Sequence, residues 1–303
     1  MALKVSRSSR QRGSILLPVI VLLLLLATAA TAMTIQARTS LREAATRRDR
    51  LVSAMTADAA VRATALAMAT AASAQAAPPF GLDGRPQSCR LAGGRVLQIT
   101  VQDQGGLVDL NKGSLDLLHL VLTRAGLGGG EATALLKLVE ARRNSEAPHL
   151  PPTVAPRTPQ KAAAPPQVAR DFVSVDELSD MPGLSLAGFE RLRPLLTTAN
   201  RSAGIDPQVA APALRALIPP KELTSASFEA MSAPSRHSDF IITAVVASGS
   251  GQRFGRRASF RLDADAGPLG RFVAWDALAP VDLVTDESTS QFCDRVVEGL
   301  SPG

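Results

Sequence analysis

From Gly13 to Ala37 no side chain is ionisable, and Ile15 to Leu26 is almost pure Leu, Val and Ile. That is roughly 25 uncharged residues, enough for a helix to cross a hydrocarbon core of about 30 Å. Lys4, Arg7, Arg10 and Arg12 precede the run, with Gly13 at the boundary. The apolar pattern then changes period. From Thr39 to about Ala77 there is no Gly or Pro, and Ala, Leu, Arg, Met and Thr dominate. Leu41, Ala44, Ala45, Arg48, Leu51, Val52, Met55, Ala59 and Arg62 mark a mostly apolar stripe at helical spacing. The pattern predicts one continuous helix from near Ser14 to near Ala76, stopped by Pro78-Pro79, with Pro18 and the Thr-rich middle as places to bend.

Beyond the helix, residues 80–94 read as loop. Arg95 to Val101 alternates and is β-branched, which predicts a strand. Gly105-Gly106 makes a turn, and Leu107 to Leu110 predicts a short second strand. Ser114 is placed to N-cap a helix to about Arg124, and Glu131 to Arg143 forms another. Residues 144–170 are rich in Pro and Ala and read as an extended insert. Ser174 and Glu177 spell a capping box for a short helix, Val175 to Asp180. A Met181-Pro182-Gly183 turn and a helix from Ser185 to Leu196 follow, then a helix from Ala210 to Ile218. Strands are predicted at Phe240–Ala247, Arg253–Leu262 and Gly270–Trp275, with a tail over 277–303 carrying some helix near Phe292 to Leu300.

The apolar span has three readings. It is an anchor cut just after Gly13, a plain single-span anchor, or a secretory signal peptide cut after Ala30-Thr31-Ala32, before Met33. Arginines on both flanks (Arg38, Arg42, Arg47, Arg48 and Arg50 lie downstream) leave orientation open by charge counting.

The 303 residues suffice for an anchor and one or two domains. Basic residues are spread along the chain, but the net charge of +6 sits in residues 1–62, where ten Lys and Arg face three Asp and Glu. With no Tyr, one Trp (Trp275) and nine Phe, there is no aromatic platform for single-stranded nucleic acid. Cys89 and Cys293 either pair, in an oxidising compartment, or stay as two free thiols. His119, His149 and His237 lack ligand spacing, and Gly126-Leu-Gly-Gly-Gly130 lacks the Lys-Ser/Thr ending of a phosphate loop. The chain does not read as an enzyme.

The order of motifs resembles one family, the minor pseudopilin K of type II secretion (general secretion pathway protein K). Arg10-Gln-Arg-Gly13 before the aliphatic span resembles its processing site. Gly106-Leu-Val-Asp-Leu-Asn111 resembles its passage from a strand into a helical insert. Phe172-Val-Ser-Val-Asp-Glu-Leu178, Met181-Pro-Gly183 and Leu192-Arg-Pro-Leu-Leu-Thr197 resemble its second helical block. Gly204-Ile-Asp-Pro207 with Ala211-Pro-Ala-Leu-Arg-Ala-Leu217 resembles the next, and Phe272-Val-Ala-Trp275 its terminal strand.

The resemblance implies an α+β, pilin-like fold: a long N-terminal transmembrane and stalk helix (14–77) and a small antiparallel sheet (78–110 and 221–276). A large helical domain (111–220), of SAM-like or helix-hairpin-helix-like type, interrupts the sheet. It implies that a prepilin peptidase removes a leader (1–13) between Gly13 and Ser14, and that the Ser14 amine is then methylated. Pilin-like major subunits carry Glu at the fifth mature position, where it pairs with a neighbour's amine; here that position is Pro18, as suits a leading subunit. The implied partners are minor pseudopilins I and J, the inner-membrane assembly platform and membrane lipid, with the bulk of the chain in the periplasm. Any calcium site of the family depends on clustered carboxylates. Here the stretch after the second helix reads Glu140-Ala-Arg-Arg-Asn-Ser-Glu146, and Asp282, Asp286 and Glu287 read as a solvated loop. The rival function is an exported, membrane-anchored DNA-binding protein, because Leu178–Leu186 resembles a helix-hairpin-helix turn. Asp180 and Glu190 flank it, only Arg191 and Arg193 are adjacent bases, and no nucleic acid is expected.

Overall fold

The computed structural model describes residues 16–144, 171–223, 225–249, 251–278 and 293. The chain divides into two units, 1–53 and 54–303. A single uninterrupted helix, α1 (Leu16–Ser73), begins in the first and ends in the second. In the first unit, Leu16 to Ala37 is 22 residues without an ionisable group, about 33 Å at 1.5 Å per residue. Pro18 lies in the first turn of α1, where its missing N–H has no helical acceptor to lose.

In the second unit the C-terminal part of α1 packs on a five-stranded antiparallel sheet in the order β1-β2-β5-β6-β7. Its strands are β1 (Asp83–Leu91), β2 (Arg95–Asp103), β5 (Asp239–Ala247), β6 (Arg253–Arg261) and β7 (Arg271–Leu278). The register places Leu97 opposite Val246, Ile99 opposite Ala244 and Val101 opposite Ile242, so one face carries an apolar row from each strand. That face meets Ala57, Ala60, Val61, Ala65 and Met68 of α1 in one core. Most of the stripe expected from spacing stays out of this core: Leu51 and Met55 are 61 and 64 % exposed. The buried side of α1 is its small-residue side, because alanines let the helix axis approach the sheet closely. Asp58 pairs with Arg256 across the contact, and Arg62 and Arg256 flank the Trp275 ring at 5.4 and 5.7 Å.

Residues 83–91 correct the loop expected over 80–94. DGRPQSCRL alternates poorly, yet it pairs along β2 from Gln87–Ile99 to Leu91–Arg95. It is an edge strand, and such strands tolerate Pro86, polar side chains and a register break between Asp83 and Pro86.

Between β2 and β5 the chain leaves the sheet to build a second core. It contains β3 (Val108–Asp109), α2 (Leu115–Arg124), α3 (Gly129–Asn144), a 3-10 segment (Val175–Asp180), α4 (Leu186–Leu192) and β4 (Leu196–Thr197). Short helices α5 (Pro212–Leu217), α6 (Pro220–Leu223) and α7 (Ala226–Glu229) complete it. The second strand of the sequence reading is β3, and it pairs in parallel with β4, not with the main sheet. The helix expected from Ser185 to Leu196 stops at Leu192. Pro194 cannot donate to the helical ladder, so the chain tightens to 3-10 and leaves as β4. Leu117, Leu118, Val121, Leu178, Leu192, Leu195 and Leu214, all nearly inaccessible, form the centre of this core.

Candidate functional site: an apolar helix and a charged cleft

Gly13 and Ser14 lie outside the described residues, as do Asp282, Asp286 and Glu287. Pro18 lies in α1, whose neighbours Leu17, Val19 and Leu22 are 70, 48 and 57 % exposed. This is the one helix among the described residues long and apolar enough to cross a membrane. Its hydroxyls are satisfied inside the helix: Thr28, Thr31, Thr34 and Thr39 each donate to a carbonyl three or four residues back. Such back-bonding leaves these four hydroxyls with no need of water.

The structure brings Cys89 and Cys293 together as a disulfide with Cα atoms 5.2 Å apart. Both are buried in the core beneath α1.

The Gly106–Asn111 motif is a structural hub. A Cβ on Gly106 would fall 1.9 Å from the Val209 carbonyl oxygen, so only glycine permits the two chain segments to touch. Buried Asp109 accepts from the backbone N–H groups of Asn111, Lys112 and Arg201. Asn111 exchanges two hydrogen bonds with the backbone of Phe172, fastening the start of the second helical block. Arg143 of α3 donates to the carbonyls of Leu110, Gly113 and Asp109 at 2.8, 2.8 and 3.3 Å. Burial holds its pKa below the usual value, against the opposing pull of Asp109, Asp171 and Glu140.

Where the helical domain joins the sheet, Asp103 at the end of β2 accepts from Gly105 N–H and from the hydroxyl of Ser235, and its carboxylate touches His237 Nδ1. These three residue types suggest a nucleophilic triad, but the connectivity differs. Ser235 bonds the carboxylate directly, whereas a triad needs the imidazole between serine and acid. The cluster clasps the two crossing points of the inserted domain. Among the described residues no group of three or more His, Cys, Asp or Glu is placed to hold a metal ion.

The hairpin at Leu178–Leu186 is capped internally. Met181 N–H donates to Leu178, Leu184 N–H to Met181, and the Ser185 hydroxyl accepts from Gly188. Ser174 and Glu177 form the capping box that the sequence spells. Burial alone would raise the Glu177 pKa. Backbone donors from Ser174 and Val173, together with the Arg142 guanidinium, outweigh it and bring the pKa below the usual value. Arg193 is engaged by Asp176 at 3.1 Å, which leaves little in this hairpin for a phosphate.

On the sheet face turned away from α1, a cleft of about 550 Å³ separates the sheet from the helical domain. Its floor includes Ile241, Arg257 and Asp276; its other wall includes Val173, Asp176, Arg193 and Leu196. Sequence reading did not single out Arg257. Its signal is the break in alternation at Arg256-Arg257, where two adjacent arginines necessarily point to opposite faces of one strand.

An antiparallel sheet covered by an N-terminal helix and interrupted by a helical domain defines an α+β protein of pilin-like build. No family model and no curated protein matches the chain. Among solved structures, it is similar to a chain of the GspK-GspI-GspJ complex from the enterotoxigenic Escherichia coli type 2 secretion system. The match is 11 % identical with a TM-score of 0.48, and covers 80 % of this chain and 99 % of that one.

Proposed function

We propose that the protein is a non-enzymatic minor pseudopilin of type II secretion, anchored by residues 14–37 in the inner membrane with the bulk of the chain in the periplasm. The observation that carries this reading is the helix Leu16–Ala37. Its apolar side chains are exposed all round and its threonine hydroxyls are satisfied within the helix, as a span in lipid requires. The same helix runs on to Ser73, where a small-residue face packs on a sheet. A cleaved signal peptide has no need of that continuity. The Cys89–Cys293 disulfide supports placing the sheet in an oxidising compartment.

The order of motifs supports the finer assignment to the K subunit, with minor pseudopilins I and J as partners at the tip of a periplasmic filament. In that setting α1 packs against partner helices, and the filament helps drive folded proteins across the outer membrane. Pro18 offers no carboxylate to a subunit ahead of it, which suits the leading position. The reading needs no cofactor, and calcium enters it only through the family. A prepilin peptidase would cut between Gly13 and Ser14, and Ser14 would be methylated before the assembly platform takes up the subunit.

Mass spectrometry of the mature N-terminus from membranes tests the reading. A methylated Ser14 is the expected result. A start at Met33 would discard the span as a signal peptide and remove the pseudopilin assignment with it.

A further inference from the structure

Residues 38–50 continue α1 directly beyond its uncharged run, which ends at Ala37. They hold five arginines, Arg38, Arg42, Arg47, Arg48 and Arg50, against two carboxylates, Glu43 and Asp49. Every one of these residues is exposed. Glu43 meets Arg47 at 3.8 Å, an open surface pair that neutralises little. Arg38, Arg42, Arg48 and Arg50 make no ion pair among the described residues. At about 100° per residue, Arg38 and Arg42 lie on one side of the helix and Arg47 on the opposite side. Arg48 and Arg50 lie on the two sides between. The arginines form a collar, not a stripe.

We infer that this collar binds the phosphate groups of anionic phospholipids at the membrane surface, an inference that rests on reading the apolar run as a retained span. Three features favour headgroups over another protein. The collar begins at the first residue after the apolar run, and Arg38 to Arg42 covers about 6 Å of axis, against roughly 5–7 Å for one headgroup layer. Side chains of an α-helix lean toward its N-terminus, here toward the lipid. Arg47, Arg48 and Arg50, up to about 18 Å along the axis from Arg38, therefore lean back toward the same layer. Lipid surrounds a single span on every side, as the collar's charge does, whereas a partner helix engages one side. The excess of cations favours lipids with net negative charge over zwitterionic ones, and a guanidinium takes two phosphate oxygens at once.

The test is native mass spectrometry of the full chain, released from uncharged detergent micelles that contain equal amounts of phosphatidylglycerol and phosphatidylcholine. The expected result is phosphatidylglycerol adducts at least about fivefold more abundant than phosphatidylcholine adducts. The preference should vanish when Arg38→Gln, Arg42→Gln, Arg47→Gln, Arg48→Gln and Arg50→Gln are combined, changes at exposed positions to a good helix former. The same five changes to Lys should keep most of it, because Lys serves phosphate as a point charge. Glycerol 3-phosphate, added alone at the same concentration, should form no adduct; adducts as abundant as the lipid's would mark a soluble-phosphate site and overturn the inference. No preference in the wild type overturns it and leaves the collar to carboxylates of partner helices. A preference that survives the Gln changes overturns it and assigns the lipid to Lys4, Arg7, Arg10 and Arg12, and loss in the Lys chain overturns the role of charge. A methylated Ser14 with no lipid preference would sink this inference alone, whereas a start at Met33 would remove the pseudopilin reading and the span beneath the collar, so the two failures are distinguishable.

Discussion

Cys89, in the middle of edge strand β1, is bonded to Cys293, 204 residues further along the chain. The bond encloses the sheet and the helical domain in one covalent loop. A loop of that length stabilises by restricting the unfolded chain, by about 2–5 kcal/mol. Cys89→Ser, Cys293→Ser and the double variant should each lower the thermal midpoint by a similar amount, on the order of 5–15 °C. Melting with and without reductant checks this. A double variant much less stable than either single one would show that the sulfurs contribute through packing and not through the bond.

The three carbonyls held by Arg143 belong to the Asp109–Gly113 turn. Arg143→Met fills the space but leaves the Leu110 and Gly113 carbonyls partly buried without this donor, at about 1–3 kcal/mol each where water cannot reach, while the Asp109 carbonyl keeps the Gly113 N–H. Arg143→Lys keeps the charge but not the planar fork, and cannot serve three acceptors in this arrangement. Both variants should destabilise, Met more than Lys, with the loss seen first in hydrogen exchange of residues 109–124. Equal stability of all three proteins would refute the hub role.

Much of this architecture is legible in the sequence because local signals and tertiary contacts agree there. The capping box at Ser174 and Glu177, the Ser114 cap and the apolar alternation of β2, β5 and β6 each name their element. The failures share one cause. β1 is held by its neighbour's register and by Cys89, which a polar DGRPQSCRL does not announce. β4 exists because Asn200 and Thr197 bind back to Leu107 and Gln104, contacts about 90 residues apart in sequence. The packed side of α1 was hidden because alanines on a sheet leave weaker periodicity than leucines would.

Trp275, the only tryptophan, reports on the contact between α1 and the sheet. Arg62 comes from the helix and Arg256 from β6, and Arg256 is positioned by Asp58. Asp58→Ala should free Arg256, alter Trp275 fluorescence at unchanged overall fold, and cost about 1–3 kcal/mol as a charged hydrogen bond partner is lost. The double variant with Arg256→Met should recover part of that cost, because no guanidinium is then stranded. Full additivity in the cycle would mean that the two side chains do not act together.

Glu177 ties the start of the second helical block to acid. Its carboxylate takes two backbone N–H groups, at 2.7 Å from Val173 and 3.0 Å from Ser174, and pairs with Arg142, whose guanidinium also covers the Phe172 ring. The folded pKa lies below the usual 4.5 despite burial, which acts the other way. A depressed carboxylate pKa contributes stability that is fully present above the unfolded value and is lost as pH falls through the folded one. The wild type should therefore lose stability on acidification below about pH 4.5 more steeply than Glu177→Gln, while near pH 7 the variant is the less stable. Denaturant titrations across pH 3 to 7 measure both slopes. Parallel slopes in the two proteins would exclude Glu177 as the acid-sensitive group. The linkage to structure is direct, because protonation releases Arg142 and uncaps the 3-10 segment together, and these two contacts hold Phe172 against the hub at Asn111.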